Sequence, residues 1–223
     1  MPSPKTHRIN PENLDTDLIQ DAAAIIKQGG VIAFPTRCLY GLGADAFNPE
    51  AVDRIFKIKQ RPAKNPLLIL IDDPGHLKRL VTHISLAAKV ISERFWPGWV
   101  TLVFNASAQV PDFLTAGTGK IGIRLAGHPV AAALAGAAQG PITGTSANVS
   151  GHPGCHQIKD LMPEVTEQLD LILDAGPLKG GFGSTVVDVT GKVPRVLREG
   201  VISGKEILAA HAGRLGGKEA WKL

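Results

Sequence analysis

Short apolar runs alternate with stretches of helical period along nearly the whole chain. After Asp15 and Thr16, either of which can cap a helix, Leu18, Ala22, Ile25 and Ile26 recur at helical spacing, and Gly29-Gly30 ends the helix in a left-handed turn. Residues 31–34 read as a short buried strand, followed by a glycine-bearing loop. Asn48-Pro49 starts a second helix with Val52, Ile55 and Phe56 inward, which Pro62 stops. The uninterrupted apolar run 67–71 has strand length and predicts a strand covered on both faces. Asp73-Pro74 and Ser85 open two further helices, the second running to Phe95 before Trp96-Pro97-Gly98 breaks it, and 100–104 is another strand. Residues 120–125 alternate, with Ile121, Ile123 and Leu125 on one face and Lys120, Gly122 and Arg124 on the other. An alanine-rich helix over 129–139 leads through Gly144 into a loop at 145–148. A helix near 158–169, a strand at 171–173, a glycine-rich turn at 176–183 and a close strand pair at 185–189 and 193–197 follow. A last helix begins after Ser203 and fades into a basic tail. Interleaved helices and strands predict an α/β (α+β) fold, and the close strand pair makes its sheet mixed parallel and antiparallel.

The 223 residues contain no Ser/Gly/Pro-rich linker, so a single domain is expected, with its core at about 12–211 and both termini peripheral. A net charge of +4 and a pI near 9.1 favour anionic partners, nucleotides or RNA. Cys38 and Cys155 stand far apart without a Cys-x-x-Cys pair, as in a reducing compartment. Residues 1–10 are polar and no window reaches eighteen apolar residues, so the reading is cytoplasmic, without a membrane partner.

Candidate chemistry begins with Arg54, Lys57, Lys59, Arg61 and Lys64, five cations with no acidic residue among them. Helical spacing predicts Arg54, Lys57 and Arg61 near one another and Lys59 and Lys64 beyond the helix end, a cluster suited to an anion or simply to solvent. The phosphate-loop pattern is absent, because Gly119-Lys120 and Gly191-Lys192 are each followed by an apolar residue. Gly41-x-Gly43-x-x-Ala46 lies too far from strand and helix for a dinucleotide turn. Gly144-x-Ser146-x-Asn148 lacks the last glycine of a nucleophile elbow, although Asp174, Asp188 and His211 follow in hydrolase order. His152, Cys155 and His156 lack a distant fourth ligand, and Cys38 beside Arg37 reads as a plain loop thiol. Hydroxyls and cations remain: Thr36, Ser146 and Ser184 with Lys59, Arg61, Arg124 and Arg198. Such a set acts by positioning and charge neutralisation, as in transfer at phosphorus.

Seven motifs in order then resemble the YrdC/TsaC family of L-threonylcarbamoyladenylate synthases, which act in tRNA modification: Phe34-Pro-Thr36 with Tyr40-Gly-Leu-Gly-Ala-Asp45; Lys59-x-Arg61-Pro62 with Asn65-Pro-Leu; Trp96-Pro-Gly with Thr101-Leu-Val; Ile123-Arg124-Leu with His128-Pro; Ser146-x-Asn148 with Ser150-Gly; Ser184-Thr-Val-Val-Asp188; and Leu197-Arg198-x-Gly200. The resemblance implies a YrdC-like fold, a twisted mixed sheet with flanking helices around a large electropositive cavity. It implies ATP, L-threonine and bicarbonate or CO2 as substrates, Mg2+ carried with ATP rather than caged by protein, and a threonylcarbamoyl transferase complex taking the product to adenosine 37 of tRNA. Lys59 and Arg61 match catalytic positions. Lys59, Arg61, Ser146, Asn148 and Arg198 match the nucleotide side, with Lys120 as a further phosphate contact; Thr36, Tyr40, Asn65, Arg124, Gly144 and Ser184 match the threonine side. The chain departs from the family at Arg37-Cys38-Leu39 (usually Glu-Thr-Val), Lys120 (a small hydroxyl residue), Gly154-Cys155 (Ser-Pro), Gly183 (Glu) and Glu199 (Pro). These departures and the basic balance motivate a second reading, a YrdC-like paralogue that binds double-stranded RNA, tRNA or ribosomal RNA without synthase activity.

Overall fold

The structure, a computed structural model, describes residues 4–62 and 64–215, the side chains at 214 and 215 excepted; the basic tail read at the C-terminus lies outside the described residues. The chain runs β1 (Lys5–Arg8), α1 (Thr16–Lys27), β2 (Ile32–Pro35), β3 (Tyr40–Gly43), α2 (Pro49–Lys59) and β4 (Leu68–Ile71). A 3-10 turn at Pro74–His76 then leads into α3 (Leu77–Leu80), α4 (Leu86–Phe95), β5 (Val100–Asn105), α5 (Asp112–Thr115), β6 (Lys120–Leu125) and α6 (Pro129–Ala138). The remainder is β7 (Ile142–Thr143), β8 (Thr145–Ser146), a 3-10 turn at Ile158–Asp160, α7 (Pro163–Thr166), β9 (Leu171–Asp174), β10 (Thr185–Asp188), β11 (Arg195–Arg198) and α8 (Gly204–Leu215).

The strands form two mixed sheets, β1-β9-β2-β3-β8 and β11-β10-β5-β6-β4-β7. The expected strand pair is β10 antiparallel to β11, while β10 runs parallel to β5 and β4 parallel to β6. The caps read from the sequence hold. Asp15 accepts from the Leu18 N–H, Ser85 from Ala88, and Asn48 from both Glu50 and Ala51. In α1 the buried face is Ile19, Ala22, Ala23 and Ile26, rotated from the expected stripe, with Leu18 and Ile25 only half-buried.

Other elements differ from expectation. Lys59 is the last residue of α2 rather than beyond it, because Gln60 takes the left-handed conformation that closes the helix (φ 47°). The glycine-bearing loop contains β3, antiparallel to β2, since Gly41 and Gly43 alternate with fully buried Tyr40 and Leu42. The expected helix over 158–169 is split into two short turns with Pro163 beginning the second. β1 is exposed at all four positions and gives no apolar signal; it is held by parallel pairing to β9.

The alternation of β6 sets the site. Ile121 and Ile123 enter the larger core with Leu102, Phe104 and Val187, so the intervening residues of β5, β6 and β10 face the other way. That other face is the floor of a cavity.

Candidate active site

The cavity has a volume of about 630 Å³. Its floor is Thr101 and Val103 from β5, Lys120, Gly122 and Arg124 from β6, and Ser184, Val186 and Asp188 from β10. A Cβ on Gly122 would press to 3.3 Å from the Thr101 methyl, so the glycine keeps the middle of the floor low. The walls come from the β2–β3 turn (36–39), the end of α2 with Lys59 and Arg61, the 144–151 segment, and β11 with Arg195, Leu197 and Arg198. Eleven residues expected at the site therefore share one cavity: Thr36, Tyr40, Lys59, Arg61, Lys120, Arg124, Gly144, Ser146, Asn148, Ser184 and Arg198. Asn65 does not; its side chain is exposed on the segment after α2, and its carbonyl accepts from Arg61 Nε (3.3 Å).

The five-cation stretch divides. Lys57 pairs with Asp53 one turn back (2.6 Å), and Arg54 pairs with Asp170 (2.9 Å), so neither joins the site. Lys59 is buried, and its Nζ donates to the Ser146 carbonyl (2.5 Å), the Asn148 carbonyl (2.8 Å) and Asn148 Oδ1 (3.2 Å). Burial, then the charge of Arg61, lowers its pKa to about 8. Three protons meet three oxygens, and among the described residues no carboxylate offsets the charge. The 146–148 turn is closed from within by Ser146 Oγ donating to Asn148 Oδ1, and by Asn148 Nδ2 donating to the Val149 carbonyl (3.0 Å).

Lys120 reaches into the cavity but is paired with Asp188 (2.9 Å) and Thr190 Oγ1 (2.9 Å) across β5. Asp188 also lies 3.7 Å from Arg195, and hydrogen bonds from Thr190 and Lys120 outweigh its burial and hold its carboxyl below the usual range. Besides Arg37, which lies on the Trp99 ring, three guanidiniums of the lining stand without a carboxylate among the described residues. Arg61 donates to the Asn65 and Pro66 carbonyls, Arg124 to the Gly144 carbonyl (3.4 Å), and Arg198 to the Ser184 carbonyl (2.7 Å). Burial lowers the pKa of each; Arg198 adds to the lowering of Arg61 and of Arg124, which falls to about 10. Hydroxyls lie beside them: Ser184 Oγ bonds Thr101 Oγ1 (2.8 Å), and Thr36 Oγ1 donates to the Leu39 carbonyl (2.5 Å). Tyr40 touches the cavity, yet its hydroxyl reaches the Gly176 carbonyl (2.7 Å) and accepts from the Ala175 N–H (3.0 Å), which anchors the glycine-rich turn.

The competing constellations do not assemble. Ser146 bonds Asn148, Asp174 approaches Arg8 and Tyr40, Asp188 holds Lys120, and His211 lies buried in α8 with Nδ1 unbonded among the described residues. No group of three or more His, Cys, Asp or Glu side chains suited to a metal gathers among the described residues. The Cys155 thiol donates to the Gln157 carbonyl, and burial pushes its pKa up to about 11. Thr101 and Asp188 belong to the floor without having been singled out as site residues. Both stand within the ordered family motifs, Thr101-Leu-Val and Ser184-Thr-Val-Val-Asp188, which give no role to either.

The sequence profile of the Sua5/YciO/YrdC family, described as "Telomere recombination", matches residues 24–200. The chain belongs to the Sua5/YciO/YrdC family. It is 38% identical to the threonylcarbamoyl-AMP synthase of Pyrococcus abyssi over 196 residues, covering 88% of this chain and 58% of that protein. It is 34% identical to the threonylcarbamoyl-AMP synthase of Coxiella burnetii (strain RSA 493 / Nine Mile phase I) over 183 residues, 81% of this chain and 98% of that protein. The crystal structure of P. abyssi Sua5 complexed with L-threonine superposes with a TM-score of 0.87 at 36% identity, over 92% of this chain and 60% of that one. The chain thus spans somewhat under three fifths of the Pyrococcus relative and nearly the whole of the Coxiella one.

Three of this member's departures from the usual family residues have local causes. A Cβ on Gly154 would lie 2.7 Å from Leu39 Cδ1, so leucine at 39 and glycine at 154 fit each other. Glu199 accepts from the Gly204 N–H (2.8 Å) and caps the start of α8. Arg37 lies flat on Trp99, 3.6 Å from the ring centroid, and donates to the Gly127 carbonyl. Nothing in the structure explains Gly183.

Proposed function

We propose that this chain forms L-threonylcarbamoyladenylate and pyrophosphate from ATP, L-threonine and bicarbonate; the relatives it matches are named threonylcarbamoyl-AMP synthases. The observation that carries the proposal is the cavity: Arg61, Arg124 and Arg198 converge there from three separate elements without a carboxylate partner among the described residues. A planar guanidinium grips a carboxylate or phosphate with parallel hydrogen bonds. Arg124, with Thr36 and Ser184, holds the amino acid's carboxylate and hydroxyl. Lys59, Arg61, Ser146 and Asn148 face the nucleotide. The lining is drawn from residues 36 to 201, so the working unit is the whole YrdC-like domain, about 12–211.

Bicarbonate supplies CO2 by loss of hydroxide. The threonine amine adds to CO2, losing a proton, to give a carbamate. A carbamate oxygen then bonds to the α-phosphorus as the bond to the bridging oxygen breaks and pyrophosphate leaves. The residues aid this by orientation and by neutralising the charge on the departing phosphates. Asp188 is the lone carboxylate on the lining among the described residues, and Lys120 and Thr190 engage it, so Mg2+ enters as the counter-ion of ATP, held by phosphate oxygens. The product passes to a threonylcarbamoyl transferase acting on tRNA in the cytoplasm. The test is pyrophosphate release from ATP with L-threonine and bicarbonate omitted in turn. Release should require both; release indifferent to either overturns the proposal.

A further inference from the structure

The cations of the cavity are not equally available to a ligand. An ammonium has three N–H donors and a guanidinium five. Lys59 has placed all three on oxygens of the 146–148 turn, and Lys120 holds Asp188 and Thr190. Arg61 has two backbone carbonyls, while Arg124 and Arg198 have one each. Arg198 also occupies a distinctive place. It comes from β11, whose register puts it opposite Val186 on β10, and its guanidinium crosses to the carbonyl of Ser184 at 2.7 Å. Ser184 belongs to the amino-acid end and is tied by its hydroxyl to Thr101 on the floor. After burial, the charge of Arg198 lowers the pKa of both Arg61, at the nucleotide end, and Arg124, at the amino-acid end, whereas for Lys59 burial is followed by Arg61.

We infer that Arg198 is a catalytic residue at the junction of the two substrates, its free N–H groups bridging the attacking carbamate oxygen and an α-phosphoryl oxygen as the new P–O bond forms. Resting on the synthase reading, this changes the part each cation plays. Lys59 becomes a positioning residue that shapes the turn beneath the phosphates. Arg61 and Arg124 anchor the two outer anions, and Arg198 makes both of its bonds at once only while the carbamate oxygen lies in line with the α-phosphorus. An interaction made only in the transition state lowers turnover when removed and leaves ground-state affinity nearly alone.

The experiment is steady-state pyrophosphate release by wild type, Arg198→Ala and Arg198→Lys, varying ATP and L-threonine separately. Calorimetric titration with ATP alone is run beside it. Arg198→Ala should lose about 10²–10³ in kcat, with the KM for threonine and the affinity for ATP alone within about threefold of wild type. Added guanidinium should restore part of that kcat. Arg198→Lys should recover little, because a point charge cannot bridge two oxygens in one plane. Should alanine at 198 melt the β10–β11 edge, seen as a lowered Tm, the lysine variant keeps a donor for the Ser184 carbonyl, and its kcat is read instead. A rise of tenfold or more in the KM or Kd for ATP with kcat unchanged makes Arg198 a nucleotide anchor only and overturns the inference. Wild-type release that ignores threonine or bicarbonate sinks the synthase reading instead, so the two failures are told apart.

Discussion

Lys59 carries its charge to a place where, among the described residues, neutral oxygens alone meet it. With a folded pKa of about 8 against an ordinary 10.5, the unfolded chain binds the extra proton between those values. The charge therefore costs stability, about 3 kcal/mol, in full below pH 8, and that cost is relieved as pH rises toward 10.5. The same titration predicts that kcat/KM for ATP falls above about pH 8 as the ammonium is lost. With phosphates bound beside it, the ammonium is favoured and the fall in kcat should begin at higher pH. Lys59→Arg should remove the descending limb near 8; a limb that persists assigns it to another group. Lys59→Ala should lower kcat more than it changes the KM for threonine, and Arg124→Ala should do the reverse, read from both constants in both variants. A second residue-scale prediction comes from Leu39 and Gly154. A side chain at 154 meets the end of the half-buried Leu39 side chain, Cδ1 at 2.7 Å, which must rotate away, so Gly154→Ser should destabilise the protein by about 1 kcal/mol, seen as a lowered denaturation midpoint. Combined with Leu39→Val, much of that loss should return. Additivity of the two changes would show that the contact does not couple them.

Helix α2 shows what an element's sequence reveals and what it conceals. Its start is legible, because Asn48 before Pro49 is a cap whose side chain can be foreseen to take the Glu50 and Ala51 N–H groups, as it does at 3.0 and 3.1 Å. Asn48→Ala should cost about 1 kcal/mol in chemical denaturation, with KM values unchanged because the cap lies at the far end from Lys59. The other end was less legible. Charge alone grouped Arg54, Lys57 and Arg61, whereas Asp53 and the distant Asp170 take two of them out of the site. A partner 116 residues away leaves no local trace. β3 was hidden for another reason. Glycine twice in four residues reads as a loop, and only its neighbours, β2 on one side and β8 on the other, make it a strand. In β6 the strict alternation of Ile121 and Ile123 with Lys120, Gly122 and Arg124 gave both the strand and the face that becomes the cavity floor.

At the scale of the molecule, two sheets come together around a hollow lined by more positive than negative side chains. Which stretches meet there was readable from the ordered motifs of the family and not from spacing, since Thr36, Lys59, Arg124, Ser146, Ser184 and Arg198 lie on six different segments. The lining carries Arg37, Lys59, Arg61, Lys120, Arg124, Arg195 and Arg198 against Asp188, so the folded state bears repulsion that the unfolded chain avoids by expansion. An anion entering the cavity relieves it. Binding to the folded state alone adds RT ln(1 + [L]/Kd), about 2.7 kcal/mol at a hundredfold excess over Kd. For a chain of this length that corresponds to a rise in Tm of about 5–10 °C. Pyrophosphate titrated into the protein in a thermal melt should produce it, whereas sodium chloride at matched ionic strength should not, because screening between charges this close and partly buried is weak. Equal shifts with both salts would mean that the repulsion is spread over the surface, and that the hollow holds no anion of its own.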